Sequence, residues 1–402
     1  MNILTEIQDL TKNFLKFVLN VHFIMIFIFL IITYHFLLFL IIEKNYIKLY
    51  ENLETINPIL LIDLIELPII NIIVPAWKEG AIFKGCLLEL SKLSYPNLNI
   101  IVNAGGSKQT VDIANSFKDY KNFNIIYQKI GEGKLKAIND CLNLVQPGII
   151  YLIDADVYLS DEIFLKMISF LINNNEKVVV SQLKPHRSII KKDLVKYICI
   201  NRDNRIKFKL SKYINRVGPH TCMKFEVIEA INKFSENRNT DDGLSIGMDL
   251  SMKGYKVLLL NNVYVESFNY PDKIFDYFHQ NLRWIENNLF YYLKYKKFNI
   301  IKFIGLFLFS FYLFLTPFLL FINIYLFLIG INFILYQYLK KIRKVRFYKK
   351  TIKESSITFT FLFYLKVLFY IYIDSFMNII VFFELLFYRK AYKKRKNLLK
   401  KA

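Results

Sequence analysis

The run Ile149-Ile150-Tyr151-Leu152-Ile153-Asp154-Ala155-Asp156 decides how the chain reads. Its first five residues are apolar and, Leu152 apart, β-branched or aromatic, which predicts a strand over Ile149–Ile153 buried on both faces. Two carboxylates follow at once. Outward from this run the same grammar repeats. Ile69–Val74, Leu98–Val102, Phe123–Tyr127 and Lys177–Leu183 read as strands, and Gly80–Leu93, Thr110–Phe117, Lys134–Val145 and Asp161–Ile172 carry helical spacing between them. Alternation of this kind predicts an α/β fold, a mostly parallel sheet covered by helices on both faces. Ligands of such sheets gather at the carboxyl ends of the strands, near a topological switch point.

The 402 residues allow about two domains at roughly 150 residues each. With 54% hydrophobic and 17% aromatic residues the chain has ample apolar surface to bury, which excludes disorder and exceeds an ordinary soluble globule. The formal charge is +21, but residues 339–402 hold 17 basic and three acidic side chains beside apolar runs. A basic excess there reads as juxtamembrane and argues against a nucleic-acid partner. Cys86, Cys141, Cys199 and Cys222 lack CxxC spacing, which argues against a disulfide framework or zinc cluster and for a reducing compartment.

Phe14–Ile42 is apolar apart from Lys16, Asn20, His22, Thr33 and His35. It is long enough for one tilted helix across a core of roughly 30 Å, and too long for a cleaved leader. The expected organisation is an N-terminal transmembrane anchor at 1–46, a linker at 47–67 and a cytoplasmic α/β domain at 68–270. Amphipathic interface helices follow at 271–298, then a transmembrane hairpin at 299–339 broken near Pro317 and a basic cytoplasmic loop at 340–356. One or more further membrane segments at 357–388 and a basic tail at 389–402 close the chain. Basic flanks on both sides of the last block put both in the cytoplasm, which predicts a short hairpin near Asp374. An integral location in the cell membrane, with membrane lipids as partners, follows from this arrangement.

Asp154 and Asp156 lie two apart on an extended segment, so their side chains point the same way. Such a pair is costly unless a cation neutralises it, and oxygen-only ligands favour Mg²⁺ or Mn²⁺ supported by a diphosphate. The plain alternative is a solvated turn, with Asp156 or Ser160 capping the next helix. Thr240-Asp241-Asp242 precedes the helical run Leu244–Lys253; a cap needs one acid, and here there are two. Gln280 and Arg283 share a helix face, with Trp284 four residues on from Gln280. Arginine grips phosphate through its planar fork and tryptophan stacks on sugar rings, although an interfacial helix uses the same residues as lipid anchors. Gly105-Gly106-Ser107 and Gly131-Glu132-Gly133-Lys134 offer backbone donors to a nucleotide or phosphate, or are plain turns. Gly218-Pro219-His220-Thr221 reads as a polar loop before an apolar strand.

Taken in order, the set resembles family 2 glycosyltransferases. It comprises Ile72-Ile73-Val74-Pro75-Ala76-Trp77-Lys78-Glu79, Gly133-Lys134 with Ala137-Ile138-Asn139, Asp154-Ala155-Asp156, Thr240-Asp241-Asp242 and Gln280-x-x-Arg283-Trp284. Within that family it looks like the membrane-embedded branch of cellulose, chitin and hyaluronan synthases, over residues 68–300. The resemblance implies a GT-A (nucleotide-diphospho-sugar transferase) domain inserted between transmembrane helices. It also implies inverting transfer from a UDP- or GDP-sugar, assisted by a divalent metal. Carried over residue by residue, Pro75, Ala76 and Glu79 border the base and ribose, Lys134 lies near the diphosphate, and Asp154 and Asp156 hold nucleotide and metal. Asp242, or Asp241, is the general base, and Arg283 binds the leaving diphosphate. Trp284 and Gln280 meet the acceptor, with His220 and Thr221 at an acceptor-proximal loop. The chain departs from the pattern at Asn103-Ala104, where an acidic pair often stands, and at Asn281. The acceptor is either a growing polysaccharide or a lipid or lipid phosphate that takes one sugar. Outside the enzymes stands a membrane scaffold or transporter with a degenerate nucleotide-binding domain. The sequence leaves the donor sugar and the oligomeric state open.

Overall fold

Ile69–Val74 is apolar, Asn71 apart, because it runs through the middle of a sheet. The computed structural model describes residues 67–174, 176–202, 213–218, 220–236, 242–294, 300–351 and 358–387, with scattered residues between 9 and 41. Strand β1 (Ile69–Trp77) pairs in parallel with β2 (Leu98–Gly105) on one side and β4 (Gly148–Ile153) on the other. Next to β2, and parallel to it, lies β3 (Phe123–Gln128). Beyond β4 the sheet turns mixed: β8 (His220–Lys224) is antiparallel to both β4 and β6 (Val178–Pro185). Strand β9 (Val257–Ser267) runs parallel to β6, while the short β5 (Val157–Tyr158) and β7 (Tyr213–Ile214) pair antiparallel with β9. The order β3-β2-β1-β4-β8-β6-β9-β5 places the reversal of winding between β1 and β4. A switch point there leaves a crevice past their carboxyl ends.

Two cores follow from the two faces. Ile70, Ile72 and Val74 of β1 pack with Phe83 and Leu87 of α1 (Ala81–Leu90), Ala114 of α2 (Lys108–Asn115), and Phe164 and Ile168 of α4 (Asp161–Asn173). On the other face Ile73, Ile101 and Ile150 meet Leu135 and Ile138 of α3 (Lys134–Leu142), Val227 of α6 (Phe225–Ile231) and Ile246 of α7 (Asp242–Met252). The asparagine inside β1 is not a flaw. Asn99 donates to the Asn71 side chain at 2.8 Å, Asn124 donates to Asn99 at 2.7 Å, and Asn71 donates to Gln146 O at 2.8 Å. A ladder of amides crosses three strands with its polar atoms paired, as buried amides must be.

The chain divides into two compact units. The first comprises Leu53–Ile300 with Ser356–Thr358 and Ile380–Ala402, and contains the sheet. The second comprises Met1–Asn52, Ile301–Ser355 and Phe359–Ile379. In it, α10 (Ile324–Thr351) and the greater parts of α9 (Ile300–Leu319, from Ile301) and α11 (Phe361–Phe387, up to Ile379) are tied by polar contacts. Asn378 donates to Ser310 at 3.2 Å, Lys341 pairs with Asp374 at 3.6 Å, and Gly330 of α10 lies against the Thr316 side chain of α9. Among the described residues one helix, Phe361–Phe383, is long and apolar enough to cross a membrane, and a shorter apolar helix spans Phe303–Leu319. The described residues between Asp9 and Ile41 are helical; much of the expected anchor, residues 47–66 of the linker and the basic tail fall outside the described residues.

Three expectations about the apolar segments need correcting. Pro317 does not break the hairpin: it sits inside the last turn of α9, where it withholds the donor for the Leu313 carbonyl without ending the helix, and the turn comes after Leu319. Asn323 sets that turn by accepting the Leu326 N–H at 3.2 Å, as a cap does. The basic stretch 340–351 is not a loop but the continuation of α10. Nor does a hairpin form near Asp374. Phe361–Phe387 holds neither glycine nor proline and runs as one helix, with Asp374 paired to Lys341.

Candidate active site

The site begins where β1 ends. Pro75, Ala76 and Trp77 close the strand, and Lys78 follows with φ of 58°, a left-handed conformation that non-glycine residues adopt at a cost. Thr110 of α2 holds the turn: the Glu79 N–H donates to Thr110 Oγ1 at 2.7 Å, and that hydroxyl donates to Glu79 O at 2.9 Å. Gly105 and Gly106 make room for the indole of Trp77. A Cβ on Gly106, whose φ is +82°, would sit 2.7 Å from the ring. The pair of glycines thus accommodates a side chain rather than a phosphate, and Ser107 caps α2 by accepting the Thr110 N–H.

Asp154 and Asp156 follow β4 at the switch point. Lys134, the first residue of α3, donates to Asp154 Oδ1 at 2.6 Å. With Pro75, Ala76, Trp77, Glu79, Gln128, Gly131 and Gly133 they line a cleft of about 320 Å³. Neither alternative cap is used, since Ser160 makes no side-chain cap bond and Asp156 Oδ1 is buried with no hydrogen-bond partner among the described residues. Burial first, and the Asp154 charge next, push the Asp156 carboxyl up to about 7 against the pull of Lys134. Glu79 is raised for the same two reasons. Burial alone would lower the Lys134 ammonium, but Asp154 and Asp242 outweigh it and hold the group above its ordinary range. Asp242, in the first turn of α7, therefore lies within electrostatic reach of the same lysine.

The donor set fits a divalent cation in one specific way. No group of three or more His, Cys, Asp or Glu side chains suited to a metal occurs among the described residues; Asp154 and Asp156 would give a cation two carboxylates, and a bound diphosphate would add further oxygens. An orphaned, buried carboxylate oxygen beside a second carboxylate is what such a shared site leaves behind.

The other expected residues separate into those near the cleft and those away from it. Gln280 and Trp284 lie on α8 (Ile274–Lys294), four residues apart, and both face Arg202 at the end of α5 (Asp193–Arg202). Arg283 is exposed and is not among the residues lining the cleft. His220 and Thr221 are not in a loop. Both are fully buried in β8, His220 against Ile153 of β4, with Tyr151 and Ser181 as hydrogen-bond partners and Thr221 donating to Gly218 O at 3.0 Å. A buried pair of this kind does not face an acceptor. Thr240 and Asp241 lie outside the described residues.

Sequence reasoning gave no role to Asn139, although it stands in the set above, and did not single out Asp249; the two hold residues 234–236 against α3 and α7. Asn139 of α3, fully buried, donates to Phe234 O at 2.9 Å and Glu236 Oε1 at 2.8 Å, and accepts the Phe234 N–H at 2.9 Å. Asp249 of α7 accepts from Ser235 N–H and hydroxyl at 2.9 and 3.2 Å. Helix α3 thus carries Lys134 at one end and a clamp on the segment leading to α7 at the other. Only the adjacency of Asn139 to the Gly133-Lys134 run hinted at this.

The glycosyltransferase-like family 2 model matches residues 68–287, more than half of the chain. The chain belongs to that family. Poly-beta-1,6-N-acetyl-D-glucosamine synthase of Staphylococcus epidermidis is 23% identical over 198 residues, which is 47% of each chain. The chain therefore spans about half the length of the curated relatives it matches. Among solved structures, the mannosyltransferase PcManGT from Pyrobaculum calidifontis, in complex with GDP-Man and Mn2+, aligns over 90% of this chain and 99% of that one. Its TM-score is 0.53 at 13% identity, which makes the fold GT-A-like. S. aureus TarS is a slighter likeness, at a TM-score of 0.39 and 15% identity over 53% of this chain and 39% of that one.

Proposed function

We propose that this family 2 glycosyltransferase is a membrane-bound, inverting enzyme that moves a sugar from a UDP- or GDP-sugar to a growing polysaccharide. The observation that carries this reading is the pair Asp154 and Asp156, with one buried oxygen unpartnered, beside Lys134 in a cleft at the switch point. The names of the relatives point the same way, one a poly-N-acetylglucosamine synthase, the other a mannosyltransferase holding GDP-Man and Mn2+. Pro75, Ala76 and Glu79 border the nucleoside, and Asp154 and Asp156 would hold a Mg²⁺ or Mn²⁺ ion. When bound, the cation supplies neutralisation of the diphosphate charge. Lys134 adds a fixed positive charge, and Arg283, exposed on α8, is the second cation offered to the leaving group. Asp242, or Asp241 beside it, takes the proton of the acceptor hydroxyl as the oxygen bonds to the anomeric carbon and the phosphate oxygen departs with its electron pair. No covalent intermediate is needed, and inversion follows from one displacement.

The apolar unit fits membrane anchoring, with the α/β domain on the cytoplasmic side and α8 at the lipid surface. A second reading, transfer of one sugar to a lipid or lipid phosphate, is favoured by the unbroken course of α11, which leaves fewer crossings than the expected hairpin. Incubating the purified full chain in detergent with UDP- and GDP-sugars and measuring released nucleotide and product length tests both. A ladder of products supports polymerisation, a single addition supports the lipid acceptor, and no nucleotide release from any donor overturns the enzyme reading.

A further inference from the structure

Arg202 belongs to none of the motifs in the sequence, yet it touches two residues of one of them. It lies on α5, and its guanidinium carbon lies 4.1 Å from the centre of the Trp284 ring and 4.8 Å from that of Tyr270. One nitrogen, Nη1, donates to Asn269 O at 2.6 Å, and the other, Nη2, donates to Gln280 Oε1 at 2.5 Å. The remaining end of the Gln280 amide is fixed as well, since Nε2 donates to Asn269 Oδ1. Gln280 and Trp284, one helical turn apart on α8, are thus held by a single planar group. The backbone that receives Arg202 continues directly to the cleft. Phe268, the residue before Asn269, donates its N–H to Asp156 O at 3.0 Å.

We propose that Arg202 is the positioning residue of the acceptor side: it fixes Gln280 and Trp284 relative to the Asp156 segment. This rests on the acceptor role proposed above for Trp284. The chemistry asks for arginine in particular. Two donors on different nitrogens and a flat cation over aromatic rings are available together only in a guanidinium; lysine keeps the charge but loses the fork and the stacking. The assignment also explains why Arg283 is exposed while its motif partners are engaged. The guanidinium that organises the motif comes from another helix.

The test uses the full chain in detergent, with R202M and R202K, and UDP-N-acetylglucosamine and GDP-mannose as donor probes. A soluble β-1,6-linked N-acetylglucosamine oligomer serves as acceptor probe. The chain has two tryptophans, so W77F leaves Trp284 as the sole indole reporter. R202M is expected to lower kcat/KM for the acceptor by about tenfold or more while nucleotide affinity stays within about twofold, and R202K to recover part of the loss. In the W77F background R202M is expected to alter the Trp284 emission, because the cation over the ring is gone. Equal loss of nucleotide affinity and transfer overturns the proposal and makes Arg202 a donor ligand. A folded R202K with wild-type kinetics also overturns it, since the fork is then not needed; this variant covers the case in which R202M does not fold. Should the wild type turn over neither donor with this acceptor, the functional reading fails on its own terms. The emission arm still decides, an unchanged spectrum overturning the contact and a changed one retaining Arg202 as the residue that holds Trp284.

Discussion

At the strand ends, three carboxylates, Glu79, Asp154 and Asp156, crowd one ammonium, Lys134, and two of the three are pushed above their ordinary range. Against α8, by contrast, Arg202 finds a carbonyl, an amide oxygen and two aromatic rings, and every contact is complementary. The first region is built to be completed by something cationic, and the second is complete already. That difference separates a surface that binds a charged ligand from one that holds a shape. On the function proposed above, the first would gain its neutrality on binding, which would make it sensitive to metal and pH. The second is satisfied beforehand, which suits a platform that must not move when a neutral sugar arrives.

The comparison breaks most sharply at Asp242. Changing Asp242→Asn removes the proposed proton acceptor and leaves the cleft carboxylates in place. Transfer should therefore fall by about 10²–10⁴-fold with nucleotide affinity unchanged, as read by initial rates beside calorimetry. Equal losses in both would move Asp242 into the donor cleft. Asp156→Ala should act in the opposite sense on binding. It removes the orphaned oxygen, so Mn²⁺-dependent nucleotide affinity should drop by at least about tenfold; unchanged affinity in excess Mn²⁺ would mean that the cation is held elsewhere.

A smaller effect sharpens the contrast from the other side. Asn139→Ala leaves the backbone N–H and carbonyl of Phe234 unpaired in the core, which costs about 1–3 kcal/mol. If this clamp serves the base, kcat should fall while donor affinity holds. Thermal unfolding and kinetics measured on one preparation separate the two. A loss of stability with unchanged kcat would leave Asn139 a purely structural residue.

How much of this was legible depended on range. The strand over Ile149–Ile153 and the carboxylates after it were readable because a central parallel strand is apolar along its length and polar only where it ends. Lys134 at the head of α3 was readable from glycines that start helices. Arg202 was not, because its partners lie 67 and 78 residues further on and no local spacing betrays them. Asn139 stood in the quoted set, but its role was hidden for the same reason, with partners 95 residues away. His220 misled in the other direction: glycine and proline before it announced a loop, while pairing with β4 carried the residue into the sheet. Pro317 likewise suggested a break that Asn323 makes instead.

His220 also supplies the gentlest way to probe the division between a region awaiting charge and one that excludes it. It sits fully buried between Tyr151 and Ser181, and burial pulls its pKa down to about 3 from 6.5. The folded protein therefore keeps the ring neutral over a range in which the unfolded chain protonates. The unfolded state binds the extra proton between pH 6.5 and 3, so this group's contribution to stability is whole above pH 6.5 and is lost on acidification. The slope is about 1.4 kcal/mol per pH unit through that window. Denaturant unfolding of the wild type and of His220→Gln from pH 7 to pH 4 isolates the effect. The variant has no titrating ring, so its stability should decline less steeply by about that amount, whatever the surface carboxylates contribute to both proteins. Parallel declines would mean that the folded protein accepts a charge beneath Asp154, and that the sheet under the cleft is more permissive than its burial implies.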